Sequence, residues 1–206
     1  MSYVSVEEGA KYRVIEILKI PRDCDINFVL ELRDSMLRDD ERKIVYIKFS
    51  GDDSLYPRRS LIECKTFHDN LRRILIRSLF EDSYYVGLLD RPIRDIEVEI
   101  LLALDYIKYL DDVDIGFTSG YLPLSSGTIY SIFKGGISLL NILYRFPRVS
   151  ELISRGFVIG EQVDLLEYTI PFDVEVGLKL KKLYRELFLR LTQFIGEIES
   201  NMHFRF

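Results

Sequence analysis

The segment from Glu99 to Thr128, EILLALDYIKYLDDVDIGFTSGYLPLSSGT, constrains this chain more than any other stretch of it. Its opening residues are apolar at helical spacing and complete a helix expected over Arg94 to Ala103. Asp105 to Phe117 then reads as two short extended pieces, broken at the Asp111-Asp112 pair. Gly116, Gly120, Pro123 and Gly127 punctuate the remainder, so a helix end feeds short strands and a turn-rich loop.

The rest of the sequence supplies elements of the same kind. KYRVIEILKIP is rich in β-branched residues and closes at Pro21, which predicts a strand and a turn. INFVLELRDSML places Phe28, Leu32, Ser35 and Met36 on one helical face. KIVYIKFSG is apolar on both faces of a strand, the mark of a strand inside an α/β sheet. Ser60 and Glu63 form a capping box for a helix running through Phe67, Leu71 and Leu75 towards Phe80, and SYYVGLL predicts a third strand. Beyond Thr128, IYSIF and ISLLNILYRF read as helical with a break at Gly135-Gly136, and VSELISRGFV as a short helix stopped at Gly156. Val174 to Ile198 is a long amphipathic helix whose stripe is Leu180, Leu183, Leu187, Leu191, Phe194 and Ile198. No repeat and no linker is visible, so residues 1–206 are expected to form one domain, with 172–206 a helical packing or oligomerisation segment.

Composition narrows the function classes. A chain of 206 residues, 48% hydrophobic and 30% charged, buries one substantial core and is not disordered. A net charge of −5 argues against a general nucleic-acid binder, and DNA is not an expected partner. No uncharged apolar run reaches membrane-spanning length, and MSYVSVEEGAKYR has no signal-peptide pattern. Two cysteines, Cys24 and Cys64, make neither a disulfide framework nor a metal motif, which sets a reducing, cytoplasmic location as the expectation. His68 and His203 have no second ligand at useful spacing, so no metal is expected.

The order Glu99, Asp105, Gly116, Gly120, Pro123, Gly127, Thr128 resembles the centre of the crotonase superfamily, the enoyl-CoA hydratases and isomerases. There an ELALACD helix end runs into a strand, an FG and a G-L-x-P-x-x-G-T segment. The opening strand, proline turn, helix and glycine-terminated strand are similar to that family too, and SELISRGFV resembles its EEALRIGLV, so the likeness runs piecewise from Tyr12 to Val163. It implies an α/β fold, a crotonase-like spiral of repeated ββα units with C-terminal helices. It also implies a homo-oligomer, trimer or hexamer, and a coenzyme A thioester as substrate, with no cofactor besides.

The same resemblance locates the chemistry. Glu99 matches the family's first catalytic glutamate, with Glu97 a further candidate acid. Between Gly116 and Gly120 the chain is three residues shorter than the family pattern, at the point where the second glutamate belongs, and Ser119 stands at that gap. Of the two backbone donors that hold the thioester oxygen, one maps to LYPRRSL, at Arg58 and Arg59, and the other to the helix start at Asp95, Ile96 and Glu97. The family's glycines are absent from both places. Expected, then, is a divergent relative whose acyl-CoA chemistry is altered or lost. The alternatives are a one-base isomerase or hydro-lyase using Glu99, and an unrelated α/β interaction protein. Glu99 has a plainer reading as a solvated or capping helix residue. Arg58, Arg59, Arg72, Arg73 and Arg77 read either as a face for CoA phosphates or RNA, or as a solvated face paired with local acids.

Overall fold

The computed structural model describes residues 2–21, 23–38, 43–51, 64–119, 121, 138–168 and 174–203. They fall into two compact units, Met1–Ile170 and Pro171–Phe206.

In the larger unit, β1 (Val4–Glu8) and β2 (Tyr12–Ile17) form an antiparallel hairpin. From β2 onward every neighbour in the main sheet is parallel. The strands β3 (Ile44–Phe49), β4 (Tyr84–Leu89), β6 (Tyr106–Tyr109) and β8 (Gly160–Gln162) follow in the order β1-β2-β3-β4-β6-β8. Two short strands, β5 (Ile93–Arg94) and β7 (Ile115–Gly116), pair with each other in a second sheet. Parallel neighbours need a crossover, and the two crossovers after β4 repeat one plan. β4 leads to β5 and helix α3 (Ile96–Leu102); β6 leads to β7, to a helical turn at 138–143 and to α4 (Val149–Ser154). This is the expected α/β spiral of ββα units.

The core sits between the main sheet and helices α1 (Ile26–Met36) and α2 (Lys65–Ser78). Phe28, Val29, Leu32 and Met36 of α1 meet Phe67, Leu71, Ile74 and Leu75 of α2, and Phe28 stacks on Phe67 with centroids 6.0 Å apart. Each such side chain stabilises the fold by about 1.5–3 kcal/mol on burial. Asp25 caps α1 by accepting from the Asn27 N–H. At the other end Arg13 donates to the Ser35 carbonyl and the Tyr85 hydroxyl donates to the Met36 carbonyl, which satisfies last-turn acceptors and ties α1 to β2 and β4. Between turns of the spiral, the Asp105 carboxylate accepts from the Tyr85 N–H while the Asp105 N–H donates to the Tyr85 carbonyl.

Several expectations are adjusted. β1 is an additional strand, in which Val4 and Val6 alternate with Ser5 and Glu7 and which pairs antiparallel with β2. The helix expected from Arg94 starts at Ile96, because Ile93 and Arg94 pair with β7 instead. The capping box at Ser60 and Glu63 lies outside the described residues, as do IYSIF and Gly135-Gly136; α2 begins after Cys64 with no side-chain cap. Gly156 takes φ +72 and ends α4 as expected. Cys24 and Cys64, too few for a framework, are nevertheless joined, with their Cα atoms 5.6 Å apart. Their 40-residue separation hides the pairing from any local reading.

The smaller unit holds α5 (Val174–His203), in which Leu180, Leu183 and Leu187 of the expected stripe are exposed. Among the described residues no helix is long and apolar enough to cross a membrane.

The Cys24–Cys64 bond closes a loop long enough for its removal to matter. Loop-closure entropy for a separation of 40 residues predicts a loss of about 3–4 kcal/mol on Cys24→Ser/Cys64→Ser substitution or on reduction. Calorimetry should show the midpoint falling by on the order of 10 °C. An unchanged midpoint after thiol titration has confirmed full reduction would contradict this assignment.

Candidate functional site

The first residues of α3 carry three acids in alternation, Asp95, Glu97 and Glu99, and all three are buried. Buried carboxylates require partners, and each has a different one. The Asp95 carboxylate accepts from the Thr118 N–H at 2.7 Å and from the Thr118 hydroxyl at 2.8 Å. Its own N–H donates to the Gly116 carbonyl, which stitches the helix start to β7. Glu97 takes both terminal nitrogens of Arg91, at 2.5 and 3.3 Å, the forked pairing that guanidinium geometry favours. Arg91 also donates to the Phe49 carbonyl at the end of β3, so this pair joins two turns of the spiral.

Glu99 is 0% exposed and accepts from the Tyr121 hydroxyl at 2.5 Å. Tyr121 is held in turn by stacking on Phe117, with centroids 5.2 Å apart, and by its N–H donating to the Thr118 carbonyl. Tyr144 packs on Phe117 and donates its hydroxyl to the Tyr121 carbonyl. Because that bond ends on the backbone, the Tyr144 and Tyr121 hydroxyls do not form a proton wire. Burial raises the Tyr144 pKa, and the negative charges of Asp95 and Glu99 add to it.

These positions correct the plainer reading of Glu99. It is neither solvated nor a cap, because α3 runs inside the spiral, where every residue from Ile96 to Leu102 is buried. Asp95, expected as an oxyanion neighbour, has its amide committed to Gly116, whereas the Ile96 N–H has no hydrogen-bond partner among the described residues. Ser119 is exposed in the turn after Thr118; the side chain that reaches Glu99 is Tyr121. Arg58 and Arg59 lie outside the described residues. Arg73 and Arg77 line a groove of ≈ 160 Å³ between α1 and α2 with Arg33 and Ile74, and Arg77 pairs with Glu81 at 3.4 Å on the surface. His68 is buried in α2, and burial lowers its pKa.

Sequence reasoning misses Tyr121, Tyr144 and Thr118. The signal for Tyr121 is its place after the shortened Gly116–Gly120 interval, but a tyrosine there reads equally as core. Chemically, the arrangement offers one carboxylate with a bonded phenol. A hydroxyl donating to a carboxylate holds a proton and does not act as a base, so the pair is not equivalent to two carboxylates.

Two measurements test these contacts. Tyr121→Phe removes a donor from a buried carboxylate and should cost about 1–3 kcal/mol in urea unfolding, with Glu99→Gln, which keeps the volume and an acceptor, costing less. Equal stability of Tyr121→Phe and the parent would show that the pair does not hold this region. Burial, opposed by the Thr118 bonds, raises the Asp95 pKa above 3.8. A raised folded-state value means that Asp95 favours folding most below the ordinary carboxylate range and loses that contribution as pH climbs through the raised value. Asp95→Asn should therefore flatten the stability–pH curve over that interval. An unchanged slope in urea titrations across it would reject the assignment.

No protein-family model matches the sequence, and no curated protein sequence matches it. Solved structures do match its fold. The structure of DspI from Pseudomonas aeruginosa shares 15% identity over 90% of this chain and 81% of that one, at a TM-score of 0.65. An enoyl-CoA hydratase from Bacillus halodurans shares 14% over 93% and 92%, at 0.67. One from Thermoplasma volcanium GSS1 shares 13% over 96% of both chains, at 0.63. At such identities the likeness is one of fold: the chain is built on the mixed α/β, crotonase-type fold of the enoyl-CoA hydratases.

Proposed function

We propose that this chain is a divergent crotonase-superfamily protein, a relative of the enoyl-CoA hydratases, in which two-carboxylate hydration has been lost and the former acid helps to hold the fold. The observation that carries this reading is Glu99, fully buried with its carboxylate taken up by Tyr121. Hydration needs one group to deprotonate water and another to deliver a proton, both within hydrogen-bond reach of the substrate. Among the described residues Glu97 is committed to Arg91 and Asp95 to Thr118, so neither supplies the missing second base. The acids that surround the head of α3 also disfavour a developing oxyanion there.

A second reading has one observation in its favour. The Ile96 amide has no partner among the described residues, and Glu99 with its bonded phenol is the minimum for a one-base proton shuttle on an acyl-CoA. In that case coenzyme A thioesters are substrates, and no cofactor of the protein's own is needed. In either case we propose a homo-oligomer, trimer or hexamer, a reading supported by the exposed leucines of α5 in the 172–206 segment; the Cys24–Cys64 bond removes the cysteine argument for a reducing, cytoplasmic location.

The direct test is spectrophotometric. A short trans-2-enoyl-CoA should show no hydration above the uncatalysed rate, and Glu99→Gln should not alter that trace. Hydration by the parent chain that Glu99→Gln abolishes would sink the first reading. Isomerisation of a 3-enoyl-CoA, lost in both Glu99→Gln and Tyr121→Phe, would establish the second.

A further inference from the structure

A cluster of charged side chains lies away from α3, around β7 and α4. A cleft of ≈ 290 Å³ opens there, lined by Asp114, Arg145, Phe146, Arg148, Glu151 and Arg155. Arg94 adds a fourth guanidinium at its edge, 4.6 Å from the centre of the Phe146 ring. Four cations therefore face two carboxylates. Arg148 pairs with Asp114 at 3.2 Å and Arg155 with Glu151 at 2.8 Å, both on exposed groups. Arg145 has no ion pair or side-chain hydrogen bond among the described residues. Like charges gathered in a concave site raise a local potential that an incoming anion relieves.

The frame of the cleft is rigid. The turn at 143–148 is clamped to β7 on both sides: Phe117 N–H donates to the Leu143 carbonyl, and Ile115 N–H to the Pro147 carbonyl, each at 3.0 Å. Asp112 caps α4 by accepting from the Ser150 N–H at 2.9 Å and from its hydroxyl at 2.7 Å, and its carbonyl also accepts from Arg148. Phe146 adopts φ +54, a left-handed backbone that costs a non-glycine residue about 1–3 kcal/mol. Its ring is 37% exposed, so solvent exclusion does not repay that strain in full. What the strained turn achieves is to bring Arg145, Arg148 and the Arg94–Phe146 stack to one rim.

We propose that this cleft binds a phosphoryl dianion, with Arg145 as its principal ligand and Arg148 and Arg155 turning towards it from their surface carboxylates. Guanidinium forks match phosphate oxygens in pairs, and the surface ion pairs they would share are weak. Phe146 and Ile142 form an apolar wall that suits the organic part of a phosphorylated small molecule. The assignment is independent of whether the chain acts on an acyl-CoA.

Phosphorus NMR titration of the full chain with inorganic phosphate and with pyrophosphate, at ionic strength held constant with sodium chloride, tests it. Saturable broadening is expected, and Arg145→Gln should weaken binding by about fivefold or more, the loss of one charge-assisted contact. Arg73→Gln, which removes the same charge from the α1–α2 groove, should leave it unchanged. A thermal melt of each variant separates loss of binding from loss of fold. Competition by coenzyme A would support the site and identify its phosphates as a source of the group; absence of competition, with phosphate still bound, would support it for a different phosphorylated ligand. No saturable binding of either anion, or equal weakening by Arg73→Gln and Arg145→Gln, would overturn the proposal.

Discussion

The larger unit is governed by the parallel ladder that joins β2, β3, β4, β6 and β8. Every circuit of the chain must return a strand about 4.8 Å along from the last, in register and with its amides paired. Whatever lies between two such strands is then obliged to stack at nearly the same spacing, which is why Ile93–Arg94 and Ile115–Gly116 find each other as a second ladder. The spacing leaves no room for side chains where backbones of adjacent circuits touch. A Cβ on Gly160 would collide with the Ile107 carbonyl oxygen, and one on Gly116 with that of Leu143. Gly160 marks a contact between circuits and Gly116 one inside its own circuit, where its carbonyl also meets the helix head at which the acids cluster.

That cluster is a consequence of the winding. α3 is only seven residues long and is enclosed on all sides, so acids in its first turn cannot reach water. Each has its own partner: Glu97 takes Arg91 from just beyond β4 in the same circuit, while Asp95 and Glu99 take Thr118 and Tyr121 from the next circuit, after β7. Removing one member of such a buried arrangement leaves a desolvated charge, so the acids and their partners are retained together or replaced together.

How much of this is legible in the sequence varies with the range of the interaction responsible. β2, β3 and β4 are readable because β-branched runs and closing Pro or Gly signals are local, as is α1 with its apolar stripe. The ordered glycines and the Glu99–Asp105 spacing carry the fold class, because the spiral needs close approaches at fixed places. The Val4/Val6 alternation of β1 is a short local signal, whereas β5 is not readable, since a two-residue strand is ordered only by its partner. The same holds at the site. Glu99 stands out by its motif, but its burial depends on circuits far along the chain, and Tyr121 meets it across 22 residues. The Cys24–Cys64 pairing, across 40 residues, is invisible for the same reason.

The turn after Gly116 and the tyrosine that follows it are best understood together. Thr118 is fixed to Asp95 by both its amide and its hydroxyl, so the chain leaves β7 already latched to the head of α3. From that latch the Tyr121 N–H closes a tight turn onto the Thr118 carbonyl. An aromatic residue that stacks on Phe117 and ends in a hydroxyl fills the enclosed volume and satisfies the buried acid at once.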